Sequence, residues 1–339
     1  MLNVPPGVRL PGVSITSFIL IIGIVAGSVI GYASPAIGVW LGGGVDYTLL
    51  TLVGLVFFGV RFGALFQAVR SLRFLMIALI ANFVAVPLIG YGIASLFLSA
   101  HPLIMVGLVI YFMSPCTDWF LSFTRLSGGN VALGTALIPI NMTVQLLLYP
   151  FFLQWFTQNS VQVEAGTIAS ILLQWFLIPL VVAIAAHQIL RLLLKPRWFE
   201  RVLAAADDTT PWLTALLVLQ IFAGNISVML LHLAVFVWVL LAVFTFFVLT
   251  FLLSEGLSRL FRFGYSEHAL LTMTIAARNA PLMLAVTMAA LADQPLIYAA
   301  LVIGMLVEFP HLAALRRVLL ITRERRLQRA EVATAAGTP

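Results

Sequence analysis

Charge is scarce in this chain. Only 9% of its 339 residues are charged, against 62% hydrophobic, and the mean hydropathy is +1.12. That balance excludes a soluble globular protein and defines an integral membrane one. The apolar stretches are continuous rather than alternating, which excludes a β-barrel. Cysteine occurs once, at Cys116, which excludes an internal disulfide and any multi-cysteine metal site. His101, His187, His232, His268 and His311 are scattered without metal-ligand spacing. Nothing matches a P-loop, an HExxH zinc site or an aspartate-rich diphosphate site, and Asp207-Asp208 reads as a loop pair. Neither an enzyme nor an ATPase subunit nor a cofactor is therefore expected. A pI near 10.0 would suggest nucleic acid for a soluble protein. Here the basic residues flank apolar runs, so the expected partner is the lipid bilayer, with no nucleic acid.

A helix needs roughly 20 apolar residues to cross the hydrocarbon core. The pattern predicts ten spans, near residues 14–33, 46–66, 74–98, 102–126, 131–156, 165–190, 211–229, 232–257, 267–291 and 295–320. The boundary near Gly224 and Asn225 is weakly punctuated. The first span reads as retained rather than as a cleaved signal peptide. Trp40, Trp155, Trp198 and Trp212 fit interfacial belts.

The 18 Lys and Arg residues form a ledger. Arg9 precedes the first span. Arg61, Arg70 and Arg73 lie around the second connection, Arg125 in the fourth, and Arg191, Lys195, Arg197 and Arg201 in the sixth. Arg259 and Arg262 lie in the eighth, and Arg316, Arg317, Arg323, Arg325, Arg326 and Arg329 at the tail. Odd-numbered connections hold none. Cytoplasmic loops collect Lys and Arg, so both termini are expected in the cytoplasm of a multi-pass plasma-membrane protein. The remaining base, Arg278, falls inside a span.

Ten spans divide into five and five at the connection around Glu164. An odd number per half gives the halves opposite orientations, as in carriers built from inverted repeats. The expected fold is thus an all-α polytopic membrane protein, a single transporter domain over 1–339. Residues 14–157 form the first repeat, 165–320 the second, and 321–339 a basic tail. Span 4 contains Ser114-Pro115-Cys116-Thr117-Asp118 and span 9 contains Ala277-Arg278-Asn279-Ala280-Pro281. Each places a proline, Pro115 or Pro281, and a polar cluster at membrane depth, where freed backbone groups need partners. Discontinuous, crossing helices 4 and 9 follow.

Cys116, Asp118, Arg278 and Glu308 sit at membrane depth, where a charged group costs about 2.5–3.5 kcal/mol on insertion scales. Asp118 and Arg278 are expected to face each other across the crossing, as a structural or a functional pair. Glu308 has no basic residue near it in sequence. Apolar surroundings favour the neutral form of a carboxyl, which suits a proton carrier; hydrogen bonding to backbone freed at a break is the structural alternative. A lone cysteine ordinarily packs as a small hydrophobe, but Cys116 follows Pro115 at the expected start of a half-helix, where the dipole favours thiolate. Asn141 and Gln145 give span 5 an inward polar face, and Gly128-Gly129-Asn130 marks a turn.

These residues resemble a known family. Pro115-Cys116-Thr117 in span 4, Asn141, Gln145, Leu148 and Tyr149 in span 5, and Gly304, Leu306, Val307, Glu308 and Pro310 in span 10 follow motifs of the arsenite-efflux permeases of the bile acid:sodium symporter superfamily. The resemblance covers spans 1–10. It implies a core of spans 3–5 and 8–10 moving against a panel of spans 1, 2, 6 and 7, with Cys116 and Glu308 as transport residues. The chain departs from that pattern at Arg278 and Asp118, where an acid is lost from span 9 and one gained in span 4.

The expected function is a secondary transporter exporting trivalent arsenic in exchange for protons. Cys116 would be a transient ligand for As(III). Thr117, Asp118, Asn141, Arg278 and Asn279 would complete the substrate site, with Glu308 and Asp118 coupling protons. The alternative is a sodium-coupled symporter of an organic anion held by Arg278. The cargo is accordingly a small inorganic or anionic solute, with protons or sodium as the coupling ion.

Overall fold

The computed structural model describes residues 11–59, 71–116, 119–157, 177–291 and 294–335. The helices are α1 Pro11–Ala33, α2 Pro35–Gly42 and α3 Val45–Phe58. After them come α4 Leu72–Leu98, α5 Pro102–Phe112, α6 Trp119–Leu126 and α7 Val131–Thr157. The second half holds α8 Ile178–Leu193, α9 Pro196–Leu230, α10 Leu233–Leu260, α11 Tyr265–Ala276, α12 Ala280–Ala290 and α13 Pro295–Ala335.

Five helices are long and apolar enough to span a membrane among the described residues, and six if the bent pair α2 and α3 counts as one. Helix length alone therefore does not give ten spans. At about 1.5 Å per residue, the half-helices α5, α6, α11 and α12 each fall short of the hydrocarbon thickness. The predicted spans 46–66 and 165–190 run partly outside the described residues, as do Glu164, Arg61 and Arg70.

One detail corrects the sequence reading. Asp207 and Asp208 do not form a loop pair but lie inside α9, which starts at Pro196 and carries Arg197 and Arg201 along its first turns. The basic tail begins helically, with α13 running from Pro295 to Ala335. The weakly punctuated run through Gly224 and Asn225 stays helical and turns at Leu231–His232, beside the expected 229/232 boundary.

Packing sorts the helices into two groups. In one, α1, α2, α3 and α9 pack together and α8 joins through α3. Small residues allow this: a Cβ on Gly27 or Gly31 would come within 2.3 and 2.1 Å of the carbonyls of Leu219 and Ala223. The other group holds α4, α5, α6, α7, α10, α11, α12 and α13. Trp40, Trp155, Trp198 and Trp212 are exposed on the outside.

The basic connections meet at one end of the molecule. Arg73 donates to the Phe261 carbonyl at 2.8 Å, Arg316 to Leu126 at 3.4 Å, and Arg323 lies over the Tyr265 ring. His187 Nδ1 lies 2.7 Å from the Phe58 carbonyl, tying the sixth connection to the second. The Gly128–Asn130 segment forms the expected turn, with Gly128 at φ +71° and Asn130 Oδ1 accepting from the Leu133 N–H.

Candidate functional site

Each proline works on the carbonyl four residues before it. Pro281 has no N–H for Ala277 and its ring would strike that carbonyl; Pro115 does the same to Tyr111. The helices stop, at Phe112 and at Ala276, and non-helical backbone follows each. The two extended segments pair as an isolated antiparallel bridge, Pro115 opposite Arg278. The Cys116 N–H donates to the Ala277 carbonyl at 3.0 Å, and the Asn279 N–H to the Ser114 carbonyl at 2.9 Å. The expected crossing is thus made by main-chain hydrogen bonds. Pro281 itself falls in the first turn of α12, where a missing N–H leaves nothing unpaired.

An unpaired backbone group at membrane depth costs several kcal/mol, so the remaining freed groups must be accounted for. In unbroken helices the Phe112, Thr274 and Ile275 carbonyls would accept from the N–H groups of Cys116, Arg278 and Asn279. All three instead accept from the Arg278 side chain. Its Nη1 donates to Phe112 at 2.8 Å, and its Nη2 to Thr274 at 3.1 Å and to Ile275. The Arg278 N–H, having lost Thr274, donates to Glu308 Oε1 at 3.0 Å. Tyr111 Oη donates to Glu308 Oε2 at 3.2 Å. Arg278 is fully buried and Glu308 is 2% exposed. Below the guanidinium lies the face of Phe246, 5.7 Å from its centroid, and that ring stacks on Phe112.

Cys116, Asn141, Arg278, Asn279 and Glu308 are all buried in this region. Thr117 and Asp118 lie outside the described residues, and with them the expected pairing of Asp118 and Arg278. Cys116 sits beside Pro115 in the extended bridge, and the next described helix is α6 from Trp119, with 117–118 outside the described residues. Glu308 accepts from backbone freed at the break between α11 and α12, the structural role weighed for it above, while its own helix runs unbroken through Pro310.

Three participants escaped the sequence reading. Tyr111 holds Glu308, and its ring fits because Gly304 has no Cβ to meet it, a Cβ there falling 2.7 Å away. Asn82, in a π-helical turn at Ala81–Ala85, donates to Thr274 Oγ1 at 3.2 Å; Asn141 donates to the same oxygen at 3.3 Å. A lone amide in mid-span, as at Asn82, was the available signal, and π-turns recur at functional sites. Among the described residues, Asn82 Oδ1, Asn141 Oδ1 and both polar atoms of the Gln145 side chain have no hydrogen-bond partner although buried. These unfilled acceptors and donors are what a bound polar solute would use.

Two interrupted helices crossing in the interior of an apolar bundle, with charge buried at the crossing, define a class: a multi-pass membrane protein organised as a secondary transporter. The Sodium Bile acid symporter family model matches residues 47–243, and the chain belongs to that family. The matched stretch contains the first break and ends before the second. The chain is also similar to a rice protein (Oryza sativa subsp. japonica) named as a probable chloroplastic sodium/metabolite cotransporter, BASS2, at 26% identity over 63% of this chain and 52% of that one. A Bacillus subtilis (strain 168) protein, the uncharacterized sodium-dependent transporter YocS, is 24% identical over 59% of each. The chain therefore matches little more than half the length of these curated relatives. Family and relatives are transporters rather than enzymes.

Proposed function

We propose that this protein is a secondary transporter that exports trivalent arsenic, as neutral As(OH)₃ or a related species, in exchange for protons. The observation that carries the reading is the position of the chain's single cysteine, buried in the main-chain bridge between the two broken helices. A thiol can displace one hydroxyl of As(OH)₃ as water, forming one As–S bond, and water reverses the step. One such bond binds and also releases. The buried amide oxygens of Asn82 and Asn141 suit the remaining hydroxyls of a neutral cargo. Glu308, bonded to the backbone of one break and to Tyr111 beside the other, is placed to link its protonation to the crossing. In this reading α5 with α6, and α11 with α12, are each one broken span of ten. The two halves are inverted repeats, and the end bearing the basic connections faces the cytoplasm of the plasma membrane, with both termini there. The group containing α9 forms the panel against which the crossing group moves.

The names of the relatives favour a second reading, a sodium-coupled symporter of an anionic metabolite. Transport into inverted vesicles separates the two. Arsenite and a bile-acid-type anion are compared with a pH gradient alone, a sodium gradient alone, and both. Arsenite accumulation with only a pH gradient is expected. Movement of the organic anion alone, and only with sodium, would overturn the reading.

A further inference from the structure

We propose that the Arg278 guanidinium is a built-in cation occupying the carbonyl seat where an ion-coupled carrier with broken helices holds a bound metal cation. The seat is assembled from what the two breaks release. Phe112 ends α5, and Thr274 and Ile275 lie in the last turn of α11, so three carbonyls at the negative ends of two half-helices converge on one point. Half-helix C-terminal ends and unwound carbonyls at a helix crossing are the groups that coordinate sodium in such carriers. Here the same kind of donor set closes on Nη1 and Nη2, and the Phe246 face covers the guanidinium. The charged groups facing it among the described residues are Glu308, with Tyr111 and Cys116 close by as neutral or ionisable neighbours.

A tethered cation differs from a diffusible one in a single respect: it cannot leave during the cycle. The crossing is then neutralised and hydrogen-bonded in every state without sodium. Three of the guanidinium's five N–H donors are committed to carbonyls, and its Nε–H has no hydrogen-bond partner among the described residues. The coupling ion must bind elsewhere, and the consequence that it is a proton on Glu308 rests on the transporter reading above.

The test needs no cargo, so failure of the arsenic reading leaves its result interpretable. Thermal unfolding of the purified full chain in detergent is measured in sodium, choline or guanidinium chloride at millimolar concentration and matched ionic strength. The parent is expected to unfold at the same temperature in sodium and choline. Arg278→Ala is expected to unfold earlier. It should then regain at least about 3 °C with sodium or guanidinium, which can enter the vacated seat, and nothing with choline, which cannot. Arg278→Lys keeps a charge in the seat and is expected to remain insensitive to sodium, which keeps the question answerable if the alanine variant does not fold. A parent stabilised by sodium over choline, an alanine variant rescued by neither small cation, or a lysine variant that responds to sodium would each overturn the proposal.

Discussion

The two breaks are alike in their hydrogen bonds and opposite in their chemistry. Each gives one N–H and takes one, Cys116 to Ala277 and Asn279 to Ser114, so neither segment anchors the other more than it is anchored. The first break offers a thiol and a free carbonyl at Phe112. The second offers a guanidinium that takes that carbonyl together with two of its own. The main chain thus makes the crossing symmetric and the side chains make it directional, with fixed charge on one side and soft-ligand chemistry on the other. Division of labour of this kind predicts that damage to the second break is first a folding defect, whereas damage to the first is a functional one.

The largest effect should follow Arg278→Gln. Removing the guanidinium leaves buried carbonyls unpaired and Glu308 without a nearby base, a loss of about 3–5 kcal/mol by comparison with broken buried pairs. Membrane yield and thermal unfolding in detergent check it. A stable, well-expressed glutamine variant would mean that the charge is not what holds the crossing.

Glu308→Gln should come next and should affect coupling rather than folding. The amide oxygen can still accept from the Arg278 N–H or from Tyr111, so stability should change by no more than about 1 kcal/mol. The side chain can no longer release a proton. Gradient-driven export should stop while cargo binding, read by protection of the Cys116 thiol from alkylation, persists. Transport that continues at the parental rate under a pH gradient would remove Glu308 from coupling.

Cys116→Ser tests the other break. The substitution keeps the backbone bond to Ala277 and nearly the same volume, so yield and unfolding temperature should match the parent within about 1 kcal/mol. Arsenite resistance of cells expressing it should be lost, and thiol reagents that block the parent should leave the variant's residual transport unchanged. Full resistance in the serine variant would transfer cargo recognition from the thiol to the amides of Asn82, Asn141 and Gln145.

How far the crossing was legible in the sequence follows the same asymmetry. Prolines announce themselves, and Pro115 and Pro281 at matching depth marked both breaks. Charges at membrane depth also stand out, so Arg278 and Glu308 were found, and the ledger of basic residues agrees with their meeting at one end of the fold. Partnership was not legible. Arg278 binds main-chain carbonyls, which every residue possesses and no letter records. Glu308 is held by Tyr111, a pairing across 197 positions of sequence. Tyrosine in an apolar run passes for belt or core until the ring is seen against Gly304. Asn82 was readable as a lone mid-span amide, but its π-turn was not.

The smallest effect, and the sharpest probe of how the first break reaches Glu308, is expected from Tyr111→Phe. The ring stays, so its packing against Gly304 is kept, and only the hydrogen bond to Glu308 Oε2 at 3.2 Å is lost. A net loss of about 0.5–1.5 kcal/mol follows for one such bond. Because the hydroxyl restrains one carboxylate oxygen, its removal should also alter the pH dependence of transport while leaving the maximal rate within a few-fold of the parent. Gly304→Ala makes the opposite change. The hydroxyl remains, but a Cβ 2.7 Å from the ring forces Tyr111 aside, so both packing and hydrogen bond suffer. The alanine variant should therefore be the less stable of the two in detergent unfolding. If Tyr111→Phe proves as damaging as Gly304→Ala, the bond to Glu308 outweighs the ring's packing, and the first break shares in holding the charge. If Tyr111→Phe changes neither unfolding temperature nor pH profile, Glu308 answers to the second break alone.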